Sequence, residues 1–386
     1  MFKIKTYNKI SEKGLELFPG NRYDISDTID NADAFLVRSY KLNDMEFYNE
    51  LKCIARAGAG TNNIPVDRCT ENGVVVFNTP GANANAVKEL VLAGMLLAAR
   101  NITQGILWIN SLDKTQDMSK LIEKEKSRFV GTELKGKTLG VLGLGAIGAQ
   151  VANAANALGM TVLGYDPYIS VKNAWGLSRH VLNAESLEEV IHKCDYITVH
   201  VPLMDSTKNM INEKLIADMK DNVVIINMSR GELVNSVDIL KALDKGKVSC
   251  YVTDFPDNEI AGHSKVIAIP HLGASTLEAE DNCAIMAVQQ SVDFLENGNI
   301  INSVNFPECQ MSRTAKNRLT VCHKNIPNMV GQISTVLAHS NINIENMLNR
   351  SKGENAYTII DYEGEITDHI AEKITQIKGV LRTRIL

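Results

Sequence analysis

The 386-residue chain has little of what would mark a secreted, membrane or nucleic-acid-binding protein. Its seven cysteines are odd in number and include no Cys-x-x-Cys pair, so they read as reduced thiols and not as a disulfide framework. The longest apolar run, residues 90–99, is about half the ~20 residues that a membrane-spanning helix needs. The start, Met1-Phe-Lys-Ile-Lys-Thr-Tyr-Asn8, carries no apolar stretch of the secretory kind. Basic charge is not in excess either. A formal net charge of −5 argues against nucleic acid or an anionic membrane as partner. An anionic substrate would therefore need a local arginine or lysine cluster. Internal repeats and low-complexity segments are also missing. These absences predict a soluble, cytoplasmic protein, and the length predicts two or three globular domains.

What is present is a rhythm of short apolar runs and helical stretches. Residues 33–38, 52–58 and 73–78 read as strands, and residues 43–51 read as a helix because Met45, Tyr48 and Leu51 fall three apart. The pattern then repeats with strands at 138–142, 161–165, 196–201, 223–227, 251–255 and 266–269. Apolar strands alternating with helices predict parallel sheets covered on both faces. Long helices are expected over 83–100 and 278–295. The third zone reads strand 319–323, helix 328–339, strands 342–348 and 357–362, helix 368–376 and strand 380–385. This βαββαβ order is ferredoxin-like. The expected domains are 1–95 with 275–305, then 96–274, a linker over 306–317, and 318–386. The fold class is α/β, with doubly wound Rossmann- or flavodoxin-like sheets and a ferredoxin-like C-terminal domain.

Gly143-Leu-Gly145-Ala-Ile-Gly148 follows the 138–142 strand and opens a helix whose Ile147, Val151, Ala155 and Leu158 share a face. In that context Gly143 permits a tight turn, Gly145 lets backbone N–H groups approach a pyrophosphate, and Gly148 lets helix and strand pack closely. Asp166, ending the next strand, suits both adenosine ribose hydroxyls and repels a 2′-phosphate, which selects NAD over NADP. Arg230, Glu259 and His271 stand at or after later strand ends, where doubly wound folds place ligands. An imidazole can take a hydroxyl proton near neutral pH, a carboxylate can orient it, and a guanidinium can grip a carboxylate. That trio suits oxidation of a 2-hydroxy acid. Its two directions should prefer different pH, because one needs a neutral histidine and the other a protonated one. His192, Cys194 and His200 lack zinc-ligand spacing, so no metal is expected. Cys53, Cys194 and Cys250 read as core residues.

Residues 1 to about 305 resemble the D-isomer-specific 2-hydroxyacid dehydrogenases. The resemblance rests on Arg56-Ala-Gly-Ala-Gly-Thr-Asn-Asn63, Asn78-Thr-Pro80 with Glu89-Leu90, Gly140-Val-Leu-Gly-Leu-Gly-Ala-Ile-Gly148 and His200-Val-Pro202. It continues through Asn227-Met-Ser-Arg-Gly231, Thr253-Asp-Phe255 and Pro270-His-Leu-Gly-Ala-Ser-Thr276. The resemblance implies His271 as acid–base, Glu259 as its partner and Arg230 as carboxylate anchor. It implies NAD contacts from Gly143, Gly145, Ala146, Ile147, Gly148, Asp166, Thr79, His200, Val201, Pro202, Met228 and Asp254, the last toward the nicotinamide carboxamide.

Within the family the chain looks most like the branch that oxidises 3-phospho-D-glycerate to 3-phosphohydroxypyruvate toward L-serine and carries one C-terminal ACT domain. That likeness implies a substrate site at Arg38, Ser39, Lys41, Ala57, Gly58 and Asn63. It also implies an L-serine effector site at His323, Asn325 and Asn343, and a homodimer or homotetramer. The chain departs from the family pattern at Ala146, at Ala86 and Lys88, in a short 259–271 stretch, and at Asn328 in place of glycine. Two other readings stay open. One is a family member acting on glyoxylate, hydroxypyruvate or 2-oxoglutarate, and the other is an NAD-sensing regulatory protein on the same scaffold.

Overall fold

The computed structural model describes residues 1–386 except Lys114 and Gln116. The chain parts into two compact units, Met1–Asn83 with Leu277–Leu386, and Ala84–Thr276. Three domains are expected from the sequence; the difference lies in how the C-terminal third packs.

In the first unit, β1 (Phe2–Tyr7), β2 (Tyr23–Ser26), β3 (Ala34–Val37), β4 (Cys53–Arg56) and β5 (Val75–Phe77) form a parallel sheet in the order β2-β1-β3-β4-β5. This is a flavodoxin-like order whose direction switches between β1 and β3. The β3 side chains are all buried, as a sheet covered on both faces requires. Sequence analysis does not mark β1 or β2, because Lys3 and Lys5 break up the apolar signal and only Ile4 of β1 is fully buried. The expected 43–51 helix does not form; these residues are turn and irregular chain. Arg68 donates to the carbonyls of Leu42, Asn43 and Met45 and so takes up acceptors a helix would use. Met45, Phe47, Tyr48 and Leu51 still reach the core, against Phe35 and Ile54.

The 21-residue Leu277–Asn297 helix joins this sheet to the C-terminal one. The last four carbonyls of a helix have no partner within it and carry its negative dipole end. Here Arg384 donates to Phe294 and Leu295 oxygens at 3.1 and 2.8 Å, Arg313 to Glu296 at 3.4 Å and Arg318 to Asn297 at 2.8 Å. Arg384 and Arg318 belong to β16 (Val380–Ile385) and β13 (Asn317–Lys324). With β14 (Asn343–Lys352) and β15 (Asn355–Glu363) these make an antiparallel sheet in the order β14-β15-β13-β16. The helices Met329–His339 and Asp368–Thr375 complete a βαββαβ unit.

One face of this sheet packs Leu319, Val321 and Ile360 under those helices. The other face sends Cys322, Tyr357 and Ile359 into the same core as Ile4, Leu36, Phe77 and Phe294. The expected 306–317 linker is accordingly packed: Phe306 and Cys309 are buried. Just before it, Asn305 accepts from the Val76 N–H and donates to Thr70 and the Val74 carbonyl, which closes the open edge of β5. Arg318 and Asp361 form an ion pair with both side chains fully buried, and Thr314 donates to the same carboxylate.

In the second unit, β6 (Thr138–Leu142), β7 (Thr161–Tyr165), β8 (Val181–Asn183), β9 (Tyr196–Val199), β10 (Val223–Asn227), β11 (Val248–Thr253) and β12 (Val266–Ala268) form a parallel sheet. Its order is β12-β11-β10-β9-β6-β7-β8, with the switch between β6 and β9. The short strand β8 is missed by sequence analysis because two of its three residues are exposed. The Ala84–Arg100 helix packs Val87, Val91, Met95 and Ala99 on this sheet, which moves the expected boundary at residue 95 to residue 84. The next helix, Ile102–Ser111, buries none of its side chains and exposes Ile106 and Leu107. No single helix is long and apolar enough to cross a membrane among the described residues.

Burial pushes the Asp361 carboxyl up, but hydrogen bonds from Arg318 and Thr314 outweigh it and hold the group below the usual carboxylate range. Its contribution to stability is therefore present above the unfolded-state pKa and is lost as pH falls through the lower folded value. Arg318→Leu should cost about 3–5 kcal/mol in urea unfolding at neutral pH, and Arg318→Leu with Asp361→Leu should recover only part of that loss, because the Asn297 and Met311 carbonyls still lose their donor. A loss below about 1 kcal/mol in the single variant would contradict the buried pair's role.

Candidate active site

The glycine turn stands at the switch point of the second sheet. Gly143 has φ +90°, and a Cβ there would meet the His200 carbonyl at 2.7 Å. A Cβ on Gly148 would lie 1.9 Å from the Gly143 oxygen, so the Ala146–Ala157 helix can approach β6 only without it. Above Gly145, the N-cap, the space is open. An uncapped helix N-terminus under open space suits a phosphate group. Val151 and Ala155 face the sheet as expected, whereas Leu158 lies outside the helix and is 43% exposed.

Asp166 accepts from the backbone N–H groups of Leu144 and Tyr168, at 2.8 and 2.9 Å. Those bonds fix the carboxylate beside the turn and leave lone pairs for ribose hydroxyls. His200 follows β9, with Nε2 2.9 Å from Thr198 Oγ1 and a buried Nδ1 lacking a hydrogen-bond partner among the described residues. Burial pushes its imidazole down to about 4, so it stays neutral near pH 7. Met228 is buried, while Pro202 lies at the surface.

Asp254 is 1% exposed. One carboxylate oxygen accepts from the Gly273 N–H at 3.0 Å, and the other is buried without a partner among the described residues. Burial pushes its pKa up, against the Gly273 bond and the charges of His271 and Arg230. An orphaned buried carboxylate oxygen needs an N–H donor, and a carboxamide supplies one. The residues present therefore fit a nicotinamide dinucleotide.

Arg230 and His271 come together through a residue to which sequence analysis gives no role. The His271 ring packs against Phe255 with centroids 4.4 Å apart, and the Arg230 guanidinium lies 5.9 Å from the same ring. Asn227 donates to the Arg230 carbonyl at 2.8 Å and accepts from the Ser229 N–H at 3.1 Å, which sets the turn carrying Arg230. The expected pairing of Glu259 with His271 is not formed. Glu259 is exposed in a turn whose N–H groups, its own and that of Ile260, donate to Asp257 Oδ1. Among the described residues it makes no ion pair with His271.

In the first unit, the residues expected to bind substrate lie at the other switch point. Asn8 follows β1 and accepts from the Ser39 and Tyr40 N–H groups at 3.0 and 2.7 Å, shaping the loop after β3. Ser39 and Lys41 are exposed. Arg38 is bound to Glu280 Oε1 at 2.6 Å. A second guanidinium stands beside it and is missing from the expected set. Arg56, ending β4, donates through Nε to the Arg38 carbonyl at 3.1 Å. Its place at a strand end is the same signal that singles out Arg230.

Gly58, after Ala57, has room for no side chain, since a Cβ would meet the Arg56 guanidinium at 2.6 Å. Its carbonyl accepts from the N–H of buried Thr79 at 3.1 Å. Asn63 does not fit the role of substrate amide: its Nδ2 already donates to the Arg38 and Tyr40 carbonyls. The expected effector residues also do not gather within one chain. His323 is buried, with ring nitrogens 2.8 Å from the Lys324 carbonyl and 2.9 Å from Thr358 Oγ1, and Asn325 follows it. Asn343 lies opposite Glu363, at the far end of β15 from Ala356, the partner of His323.

Fold and site together define an α/β protein built to hold NAD beside a histidine and an arginine. The NAD-binding domain model of the D-isomer-specific 2-hydroxyacid dehydrogenases matches residues 92–273. A D-3-phosphoglycerate dehydrogenase of Haemophilus influenzae is 32% identical over 339 residues, 85% of this chain and 79% of that one. One of Bacillus subtilis is 34% identical over 82% of this chain, which spans only 61% of that relative's length. A crystal structure of NAD+-bound 3-phosphoglycerate dehydrogenase from Entamoeba histolytica superimposes with TM-score 0.60 at 26% identity, covering 79% of this chain and 98% of that one. The chain belongs to the D-isomer-specific 2-hydroxyacid dehydrogenase family, and its cofactor is NAD.

Phe255→Ala should lower kcat roughly tenfold, the size of the ring contacts removed from His271 and Arg230. Phe255→Tyr should retain most of the activity. Steady-state kinetics of both variants checks this, and unchanged kcat in the alanine variant would deny Phe255 any positioning role.

Proposed function

We propose that the chain is an NAD-dependent dehydrogenase interconverting 3-phospho-D-glycerate and 3-phosphohydroxypyruvate. The observation that carries this reading is the pair of guanidiniums, Arg38 and Arg56, at the switch point of the first sheet. A doubly wound sheet binds ligands there, and two arginines suit a phosphate dianion. Relatives named D-3-phosphoglycerate dehydrogenase support the same reading.

When bound, NAD supplies a hydride acceptor, or in reduced form a donor, at its nicotinamide ring. The chain's own residues do the rest. Asp254 orients the cofactor through its unpartnered oxygen. Arg230 grips the substrate carboxylate through two hydrogen bonds, which fixes the C2 face. Neutral His271 accepts the proton of the C2 hydroxyl as the alcohol is oxidised. In reduction, protonated His271 returns that proton to the carbonyl oxygen at C2. Phe255 keeps the imidazole and guanidinium in register, in the place where a carboxylate partner for His271 is expected.

The C-terminal βαββαβ sheet we assign as an ACT-type module, on the support of its strand order and helix placement. In this reading it holds the end of the Leu277–Asn297 helix. We further assign the exposed apolar face of the Ile102–Ser111 helix to self-association, because Ile106 and Leu107 are more than half exposed. Leu107→Glu should shift the sedimentation coefficient to that of a smaller species; an unchanged coefficient would contradict the assignment.

For the reaction itself, NADH oxidation with 3-phosphohydroxypyruvate and with hydroxypyruvate, each titrated, is the test. The phosphorylated acid should show kcat/KM at least ~100-fold higher, about 2.7 kcal/mol for charge-assisted contacts to the phosphate. Equal or reversed preference would leave a dehydrogenase of another 2-hydroxy acid.

A further inference from the structure

Arg230 is exposed, yet its guanidinium is held. Nη1 donates to the Ser229 carbonyl at 2.6 Å, so the direction of the guanidinium follows the direction of that one peptide. Ser229 is in turn clamped twice. Its N–H donates to Asn227 Oδ1 at 3.1 Å, and its hydroxyl donates to the Val199 carbonyl at 2.7 Å. Asn227 ends β10 and is fully buried. Its Nδ2 donates to the Arg230 carbonyl at 2.8 Å and reaches the Tyr251 hydroxyl at 3.4 Å. One backbone partner is a donor and the other an acceptor, so a single orientation of the amide satisfies both. The amide thus grips the peptide groups on both sides of the one whose carbonyl holds Nη1. That bond leaves the Nε and Nη2 edge of the guanidinium for the two oxygens of a carboxylate.

Resting on the reading of Arg230 as carboxylate anchor, we infer that Asn227 is a positioning residue for substrate binding, acting through the Ser229 peptide on the Arg230 guanidinium. A free arginine gives up much rotamer freedom when it makes two hydrogen bonds to a carboxylate. The Asn227 amide lowers that cost by fixing the guanidinium on its turn before substrate arrives. Aspartate cannot replace it. A carboxylate still accepts from the Ser229 N–H, but it has no hydrogen for the Arg230 carbonyl and repels that oxygen. Serine cannot replace it either, because its hydroxyl serves the N–H two residues on and is too short to serve the next carbonyl as well. Asn227 acts through Arg230 alone and takes no part in the proton or hydride transfer.

Oxamate, an unreactive 2-oxo acid analogue with one carboxylate, reads the anchor without chemistry. Its Kd from the NADH complex, followed by NADH fluorescence, should rise roughly tenfold in Asn227→Asp. Asn227→Ser buries no new charge and should show a rise of about the same size. The Kd of NADH itself should move less than about twofold in both. In an Arg230→Gln background the anchor is gone, so adding Asn227→Ser should shift oxamate binding less than about twofold. A general defect of the fold would weaken oxamate binding equally in both backgrounds. The inference is overturned if Asn227→Ser leaves oxamate binding unmoved, if the NADH and oxamate constants rise together, or if the two losses add in the double variant. The anchor reading fails separately if Arg230→Gln alone leaves oxamate binding unchanged, and the inference falls with it.

Discussion

The first unit depends on how one helix ends. A 21-residue helix is about 30 Å long, and its C-terminal carbonyls cannot be left unpaired at a buried junction. Three arginines from beyond the helix take all four: Arg313, Arg318 and Arg384. Arg318 is fully buried, and the equally buried Asp361 balances its charge while the Asn297 and Met311 carbonyls take its remaining donors. From this constraint follows the docking of the antiparallel sheet on the first parallel sheet. The packed 300–309 segment and the core shared by Tyr357, Ile359 and Phe294 follow as well. The opposite end of the same helix carries Glu280 to Arg38, so the sheet junction and the loop after β3 are tied to two ends of one helix.

The second unit is organised by close approach. Gly148 has no space for a methyl group beside the Gly143 carbonyl, and Gly143 has none beside His200. The empty positions let β6, its following helix and the chain after β9 converge on one point at the C-terminal edge of the sheet. Around that point stand a fixed carboxylate, Asp166, and a half-satisfied one, Asp254. The Phe255 ring lies 4.4 Å from the His271 ring and 5.9 Å from the Arg230 guanidinium, the two groups to which the proposed chemistry is assigned. An aromatic ring imposes orientation on an imidazole without adding a charge, which leaves Asp254 as a carboxylate close enough for the His271 charge to act on.

Much of this was legible in the sequence where local pattern and tertiary demand agree. The buried strands Thr138–Leu142, Thr161–Tyr165 and Val223–Asn227 lie where their apolar runs predict. The glycine turn reads correctly because each glycine answers a steric need next to a strand and a helix. Illegible were features whose cause is remote in sequence. The alternating lysines of β1 hide a strand whose neighbours are β2 and β3. The helical spacing of Met45, Tyr48 and Leu51 is real but serves a loop held by Arg68, some two dozen residues on. No spacing rule reveals that Pro307 stands in a packed segment, that Glu280 meets Arg38 across 242 positions, or that Asn63 spends its amide on the 38–40 loop. Glu259 and His271, which the resemblance pairs, form no ion pair among the described residues.

The central claim is that His271, Arg230 and Asp254 serve hydride exchange at C2 of a phosphorylated 2-hydroxy acid. Single-turnover reaction of 3-phosphohydroxypyruvate with NADH deuterated at nicotinamide C4, read by NMR of the product, tests it most directly. Both C4 positions should be labelled so that the face of transfer does not matter. The account predicts deuterium at C2 of 3-phospho-D-glycerate, and loss of that transfer in His271→Asn. Solvent hydrogen at C2, or no product at all from folded protein that binds NADH, would contradict it.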